Sequence, residues 1–293
     1  MLKNENAKIT YVTELTDRAF IRLQGSDSAT FLQNLLTQDI QRQPNTIAAA
    51  ALLTPQGKLL DDFLVWQDDD GITLDCDGAR VDDIFRKLSM YKLRSDVTLD
   101  RQTGHPWAIW SYDADVSDVS DVSDVSDEMT AFKANNTSVY SDPRSERLGL
   151  RAYFHPNSND AWEVAPLKQW NNFRLSLVIP QGAIEMPPGE IFPLEFGLQN
   201  ANMISFQKGC YIGQEVTSRS YRRGTLKKGL FTAMQAEPAF LANDEITVDG
   251  KTVGKIAIAG EETAIALIRL DADMTMLDVS GRRFDVAQPD ISK

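Results

Sequence analysis

Eight residues hold most of the reactive chemistry of this chain: Lys208-Gly209-Cys210-Tyr211-Ile212-Gly213-Gln214-Glu215. An amine, a thiol and a carboxylate fall within one short run, with a glycine on either side of the thiol. Glycine lowers both helix and strand propensity, so the run reads as a shaped loop that presents Cys210. A thiolate is a nucleophile, a redox centre and a soft metal ligand. Lys208 lies two residues away, and Arg219, Arg222, Arg223, Lys227 and Lys228 follow. These cations favour the thiolate if they point at it. Gly209 and Gly213 read as backbone devices, for positive φ or close approach. Glu215 either orients Lys208 or Arg219 or forms a plain surface ion pair.

The elements that must position this loop come from a chain of 293 residues, enough for two or three domains. A hydrophobic fraction of 42% is that of a soluble globular protein. No apolar run approaches the roughly 20 residues of a membrane span, and the first residues lack the apolar core of a secretory signal. The formal charge of −12 argues against general coating of nucleic acid, though not against a local basic site. Two cysteines, Cys76 and Cys210, make no disulfide framework, so reduced thiols and a cytoplasmic setting are expected. His105 and His155 lie far apart, nothing has zinc-ligand spacing, and one loop cysteine cannot hold an iron–sulfur cluster alone. No metal site is expected.

Residues 11–23 read as one strand, and Ser26 or Asp27 caps a helix carrying Phe31, Leu32, Leu35 and Leu36 on one face. Strand-like runs follow at 47–53, 59–66 and 72–76, where alternation turns Cys76 toward a core. Val81, Ile84, Phe85, Leu88 and Tyr91 mark a second helix. This order is α+β, helices laid on a mainly antiparallel sheet. Four Val-Ser-Asp triplets span Val116 to Asp127, and their low hydrophobicity and repeated charge mark a surface insertion over 115–128. Pro166 starts a helix carrying Trp170, Phe173 and Arg174, which Pro180 ends, and residues 181–197 form a long ordered loop. Short strands from 228 onward, with a turn at Asp249-Gly250, predict a small β-barrel or β-sandwich. The chain thus divides into an α+β region over 1–200, a signature loop and basic linker over 201–227, and a β-domain over 228–293.

The run from Lys208 to Glu215, followed by Arg219, resembles the signature of the YgfZ family, folate-binding proteins related to the T-protein (aminomethyltransferase) of the glycine cleavage system. The resemblance covers nearly the whole chain outside the triplet repeat. Its blocks are Leu23 to Asp27 with Phe31 to Gln33 and Thr37 to Asp39, then Thr54 to Lys58 with Asp61 and Asp62, then Tyr91 to Ser95, and Trp170 to Pro180. It implies a three-domain cloverleaf of the T-protein type, two interleaved α+β subdomains plus a C-terminal antiparallel β-barrel. T-protein relatives usually carry an acid where this chain has Cys210.

The resemblance also implies a function: a tetrahydrofolate-binding protein that supports iron–sulfur proteins and, through them, tRNA modification. Cys210 and Lys208 would be the reactive pair. Trp170 stands where the family offers an aromatic ring to folate, although it also fits the core stripe of its helix. Arg18 stands in place of the family's other tryptophan, and a guanidinium can stack as well. Asp61 and Asp62 occupy the block that carries an acid near the folate amine, one of them facing inward. Tyr91, Arg174, Glu215 and Arg219 complete the implied folate-contacting set. The basic segment after the motif would hold the glutamyl tail of folate, touch RNA directly, or form a solvated linker. The alternative function is a folate-dependent aminomethyl or one-carbon transferase using Asp61 or Asp62 as acid and base.

Overall fold

In a computed structural model the described residues are 9–40, 46–112, 138–156, 162–234 and 239–287. The triplet repeat lies outside them. The chain opens with β1 (Ile9–Glu14) and β2 (Arg18–Gln24), which are consecutive yet enter different sheets. The single strand expected over 11–23 is therefore two, broken at Leu15 to Asp17. Next come α1 (Ser28–Leu35), β3 (Ile47–Leu53), β4 (Leu59–Asp68), β5 (Gly71–Asp77), α2 (Val81–Tyr91) and β6 (Thr98–Gln102). The first sheet has the order β3-β4-β5-β2-β6, every pairing antiparallel. Neither Ser26 nor Asp27 caps α1 through its side chain: Ser26 donates to Asp96, and Asp27 accepts from the Asp96 N–H, tying the helix start to the α2–β6 turn.

The second sheet takes β7 (Trp107–Tyr112), β8 (Val139–Ser141), β9 (Leu150–Ala152) and β10 (Glu163–Val164) in the order β10-β1-β7-β9-β8. The chain passes between the sheets at Leu15 to Asp17 and again at 103–106. The two crossings are bonded to each other, with Leu15 N donating to Pro106 O at 2.9 Å. There follow α3 (Leu167–Ser176), α4 (Gly182–Glu185) and α5 (Gln214–Arg222). The third sheet is β11 (Lys228–Met234), β12 (Glu245–Val248), β13 (Lys251–Ala259), β14 (Thr263–Arg269), β15 (Asp278–Val279), β16 (Arg282–Arg283) and β17 (Val286–Ala287), all paired antiparallel.

The run Ile-Ala-Ala-Ala-Ala-Leu-Leu of β3 is buried at every position because a core lies on each side of it. Side chains alternate along a strand. Ile47, Ala49, Ala51 and Leu53 therefore join a core shared with residues 186–211 and the outer face of the third sheet, at Ile265 and Leu267. Ala48, Ala50 and Leu52 face α1 and α2 with Phe63, Leu74 and Cys76. Cys76 is fully buried as expected, and burial pushes its thiol pKa up. Along β14 the same alternation sends Ala264, Ala266 and Ile268 into the barrel core with Phe231 and Ile256.

Candidate functional site

Two sites meet the β3–β4 hairpin. The first is a buried ionic centre. Arg18, at the start of β2, donates from Nε to Asp75 Oδ1 at 2.6 Å, from Nη2 to the Asp75 carbonyl at 2.8 Å, and from Nη1 to Asp62 Oδ2 at 3.0 Å. The other Asp62 oxygen accepts the Gly182 N–H at 2.9 Å, which holds the start of α4 against β4. Burial alone would raise the Asp62 carboxyl; Arg18, the Gly182 N–H and Arg144 outweigh it and hold the carboxyl below its ordinary range.

Arg144 embraces Asp142 through Nε at 2.9 Å and Nη2 at 2.8 Å, and its Nη1 donates to the Gln181 side chain at 2.8 Å. Arg151 reaches the same Asp142 at 3.1 Å. Burial works against the Asp142 carboxylate too, yet the two guanidinium groups bring its pKa well below normal. Arg174 grips Glu185 through both terminal nitrogens, at 2.6 and 2.8 Å. Each buried charge thus meets its opposite, the condition for burying it at all.

Several polar atoms of this centre have no partner among the described residues: Asp75 Oδ2, Tyr153 Oη, Arg151 Nε and Nη1, and Trp170 Nε1. Arg151 lies near both Tyr153 and Trp170, and Asp75 near Tyr153. The Arg151 guanidinium sits 5.8 Å from the Trp170 ring centre. Burial pushes the Tyr153 hydroxyl up, and Asp75, Arg151, Asp142 and Arg18 are all near enough to act on it. Orphaned buried polar atoms are rare in folded proteins, and a converging set calls for an additional hydrogen-bonding group. Beside them the half-buried Trp66 stacks on Tyr153 with centroids 3.7 Å apart.

The second site is the motif loop, fixed by three anchors. Lys208 Nζ donates to the carbonyls of Gln33, Leu36 and Gln38 at 2.7, 2.7 and 2.9 Å, capping the C-terminal end of α1. Burial lowers its pKa to about 8, offset in part by Asp39. Tyr211 is buried in the shared core. Gly213 adopts φ +81°, and a Cβ there would lie 2.6 Å from Thr54 O and 3.1 Å from the Gly57 Cα. Its near contact places the motif directly on the Thr54 to Gly57 turn. Between these anchors Cys210 is exposed. Asp62 is five residues beyond Gly57, at most roughly 16 Å away at about 3.3 Å per residue.

The residues implicated by sequence fall into separate groups. Arg18, Asp62, Trp170 and Arg174 belong to the buried centre; Cys210, Lys208, Glu215 and Arg219 to the motif loop and α5. Asp61 and Asp62 are both buried, on opposite faces, and Asp61 pairs with Arg80 at 2.6 Å. Tyr91 ends α2, packed on the first sheet's core. Four readings change. Lys208 directs its ammonium to main-chain carbonyls and not to the thiol. Arg18 is buried and its guanidinium is held by Asp62, Asp75 and the Asp75 carbonyl, so it serves the ionic centre. Trp170 is fully buried against Trp110 and Phe173 with the Arg151 guanidinium over its ring, so it offers no open face to a ligand. Gly209 faces open space without positive φ, so no packing or backbone demand explains it.

Asp75, Asp142, Arg144, Arg151 and Tyr153 are the members that sequence reading missed. A signal was present: Arg151 interrupts the apolar strand pattern Leu148 to Ala152, and such a charge must be partnered or exposed.

Residues 227–293 match the family described as CAF17, C-terminal beta-barrel domain. The match covers the terminal sheet alone. The chain as a whole has relatives as well. Over 282 residues it is 29% identical to the iron-sulfur cluster assembly factor IBA57, mitochondrial, of Mus musculus, covering 87% of this chain and 76% of that protein. The Homo sapiens protein of the same name is 28% identical over 281 residues, with the same coverage. The homolog from Neurospora crassa is 29% identical over 253 residues, covering 82% of this chain and 56% of that one. Among solved structures, the glycine cleavage system aminomethyltransferase T from Bartonella henselae aligns with a TM-score of 0.71 over 97% of this chain and 86% of that one, at 11% identity.

The chain therefore has a T-protein-type α+β fold and is CAF17/IBA57-like, in the superfamily to which the YgfZ resemblance pointed. The cytoplasmic setting is overturned, since these relatives are named mitochondrial. Free thiols mark a reducing compartment without saying which one.

Proposed function

We propose that this protein is an iron–sulfur assembly factor that binds tetrahydrofolate or a related folate in the buried centre and presents Cys210 to its iron–sulfur partners. The observation that carries the folate reading is the converging orphan set. A pterin has a donor–acceptor edge and a flat apolar body. Asp75 Oδ2 would accept from such an edge, Arg151, Tyr153 and Trp170 Nε1 would donate to it, and the stacked Trp66–Tyr153 pair would lie beside the ring. The α4 segment, held to Asp62 and Asp77 by its Gly182 and Ala183 N–H groups, is the wall such a ligand would press against. The assembly role rests on the IBA57 relatives and on the exposed thiol, with tRNA modification a downstream consequence through iron–sulfur clients. The transferase alternative is not favoured, because both oxygens of Asp62 are engaged and Asp61 faces Arg80.

A crossed experiment tests both halves. Tetrahydrofolate should quench the tryptophan fluorescence of the wild type, and Tyr153→Phe should weaken that binding by roughly 3- to 10-fold, the worth of one hydrogen bond. Cys210→Ser should leave binding unchanged and abolish support of an iron–sulfur client. Absence of quenching in the wild type would sink the folate half, and full support by Cys210→Ser the thiol half.

A further inference from the structure

Beyond Cys210 the chain places five cations and one carboxylate within fifteen residues, from Gln214 to Lys228, in a protein of net charge −12. The fold arranges them. Glu215, Ser218, Arg219 and Arg222 share one stripe of α5, Arg223 follows as its C-cap, and together they line a single shallow cleft with Gln214. Glu215 answers Arg219. Arg222 and Arg223 are exposed and have no carboxylate partner among the described residues. Elsewhere Arg86 is answered by Asp83, Arg101 by Asp82 and Arg269 by Asp271, while Arg94 and Arg283 stand singly; the α5 pair differs in being adjacent and beside an exposed tyrosine. Beside the stripe Tyr221 is 52% exposed and is held rigid by stacking on Phe206, centroids 3.7 Å apart. Arginine and tyrosine are the residue types that dominate binding energy at protein interfaces. The cap of α5 is Gly213, three residues from the thiol, and Gln214 Nε2 donates back to the Gly209 carbonyl at 3.3 Å.

We infer that this face of α5 docks an acidic segment of the protein partner that meets Cys210. The inference rests on the reading that Cys210 is presented to a partner, and not on folate binding. Size and charge choose the occupant. Nine helical residues span about 13 Å, the length of roughly four extended residues. That suits a short acidic peptide with an apolar residue over Tyr221. A nucleic acid strand would need many more phosphates neutralised, against the repulsion of the remaining acidic surface.

The test uses the full chain and a fluorescein-labelled decapeptide of alternating glutamate and leucine, read by anisotropy. Wild type should bind it at 50 mM salt and lose affinity several-fold at 200 mM, because exposed charges are screened. Arg222→Glu combined with Arg223→Glu should weaken binding at least 10-fold with an unchanged melting temperature. Reversing the barrel lysines Lys251 and Lys255 to Glu should leave it unaltered. Bound peptide should also slow alkylation of Cys210 by iodoacetamide. Equal binding by the arginine variant, or tighter binding of a ten-nucleotide single-stranded RNA than of the peptide, would overturn the inference. So would loss in that variant of affinity for tetrahydrofolate polyglutamate alone, which would assign the arginines to a folate tail. Monoglutamyl tetrahydrofolate should bind the arginine variant normally, so a failure of folate binding in all proteins would count against the folate reading only.

Discussion

An ammonium group has three N–H bonds, and Lys208 spends them on three carbonyls at the end of α1. It is therefore a positioning residue, joining the motif loop to a helix some 170 residues earlier in the chain. Lys208→Met keeps the apolar stem and strips the donors from carbonyls that have little other recourse. The expected cost is about 1–3 kcal/mol, measured by urea unfolding. The loosened loop should also change the alkylation rate of Cys210. If stability is unchanged, the clamp is not what fixes the loop. At this scale sequence was informative about residue type and blind to direction. Lys208 and Cys210 are neighbours in the motif, yet the backbone between them turns the amine inward and the thiol outward. Arg18 and Trp170 were likewise found by position, while their partners, Asp75 and Arg151, come from strands that no local pattern connects to them.

At the scale of elements, two turns back onto each other: the hairpin turn at Gly57, φ +78°, and the motif turn at Gly213, φ +81°. A Cβ on Gly213 would require a left-handed alanine and would press on the Thr54 carbonyl at 2.6 Å. Gly213→Ala should therefore cost about 2 kcal/mol or more in unfolding free energy. Gly209→Ala, facing open space, should stay within about 0.5 kcal/mol. Equal effects of the two substitutions would contradict the docking of motif on hairpin. The helices and the hairpin were legible because Phe31, Leu35, Ile84 and Leu88 keep a helical period and Thr54 to Gly57 is rich in turn formers. The break between β1 and β2 was not. Leu15-Thr16-Asp17 contains neither glycine nor proline, and the strand divides there only because its halves are buried in different sheets.

For the whole molecule, the ionic centre is a joint. Asp142 lies beside β8, its partner Arg144 reaches Gln181 ahead of α4, and α4 is bound to β4 and β5 through Asp62 and Asp77. Asp142→Asn leaves two buried guanidinium groups without their carboxylate, at an expected cost of about 3–5 kcal/mol near neutral pH. The folded-state pKa of Asp142 lies below its unfolded value of 3.8. Its contribution is complete above 3.8 and is lost as the pH falls through the folded value. The difference between wild type and variant in urea midpoint should therefore be constant from pH 7 to 5 and shrink progressively below 3.8; a gap that kept its full neutral-pH size at pH 2 would mean the carboxylate charge is not what the joint uses.

The crossing at Leu15 to Asp17 has a temporal consequence. Made from the amino end, β2 finds β5 after some fifty residues, whereas β1 must wait for Trp107–Tyr112 and its other neighbour, β10, comes fifty residues later still. Of the first two strands, β1 waits about twice as long for its first partner as β2 does. During that interval it is an unsatisfied edge carrying Tyr11 and Val12, a stretch of this chain with need of a chaperone.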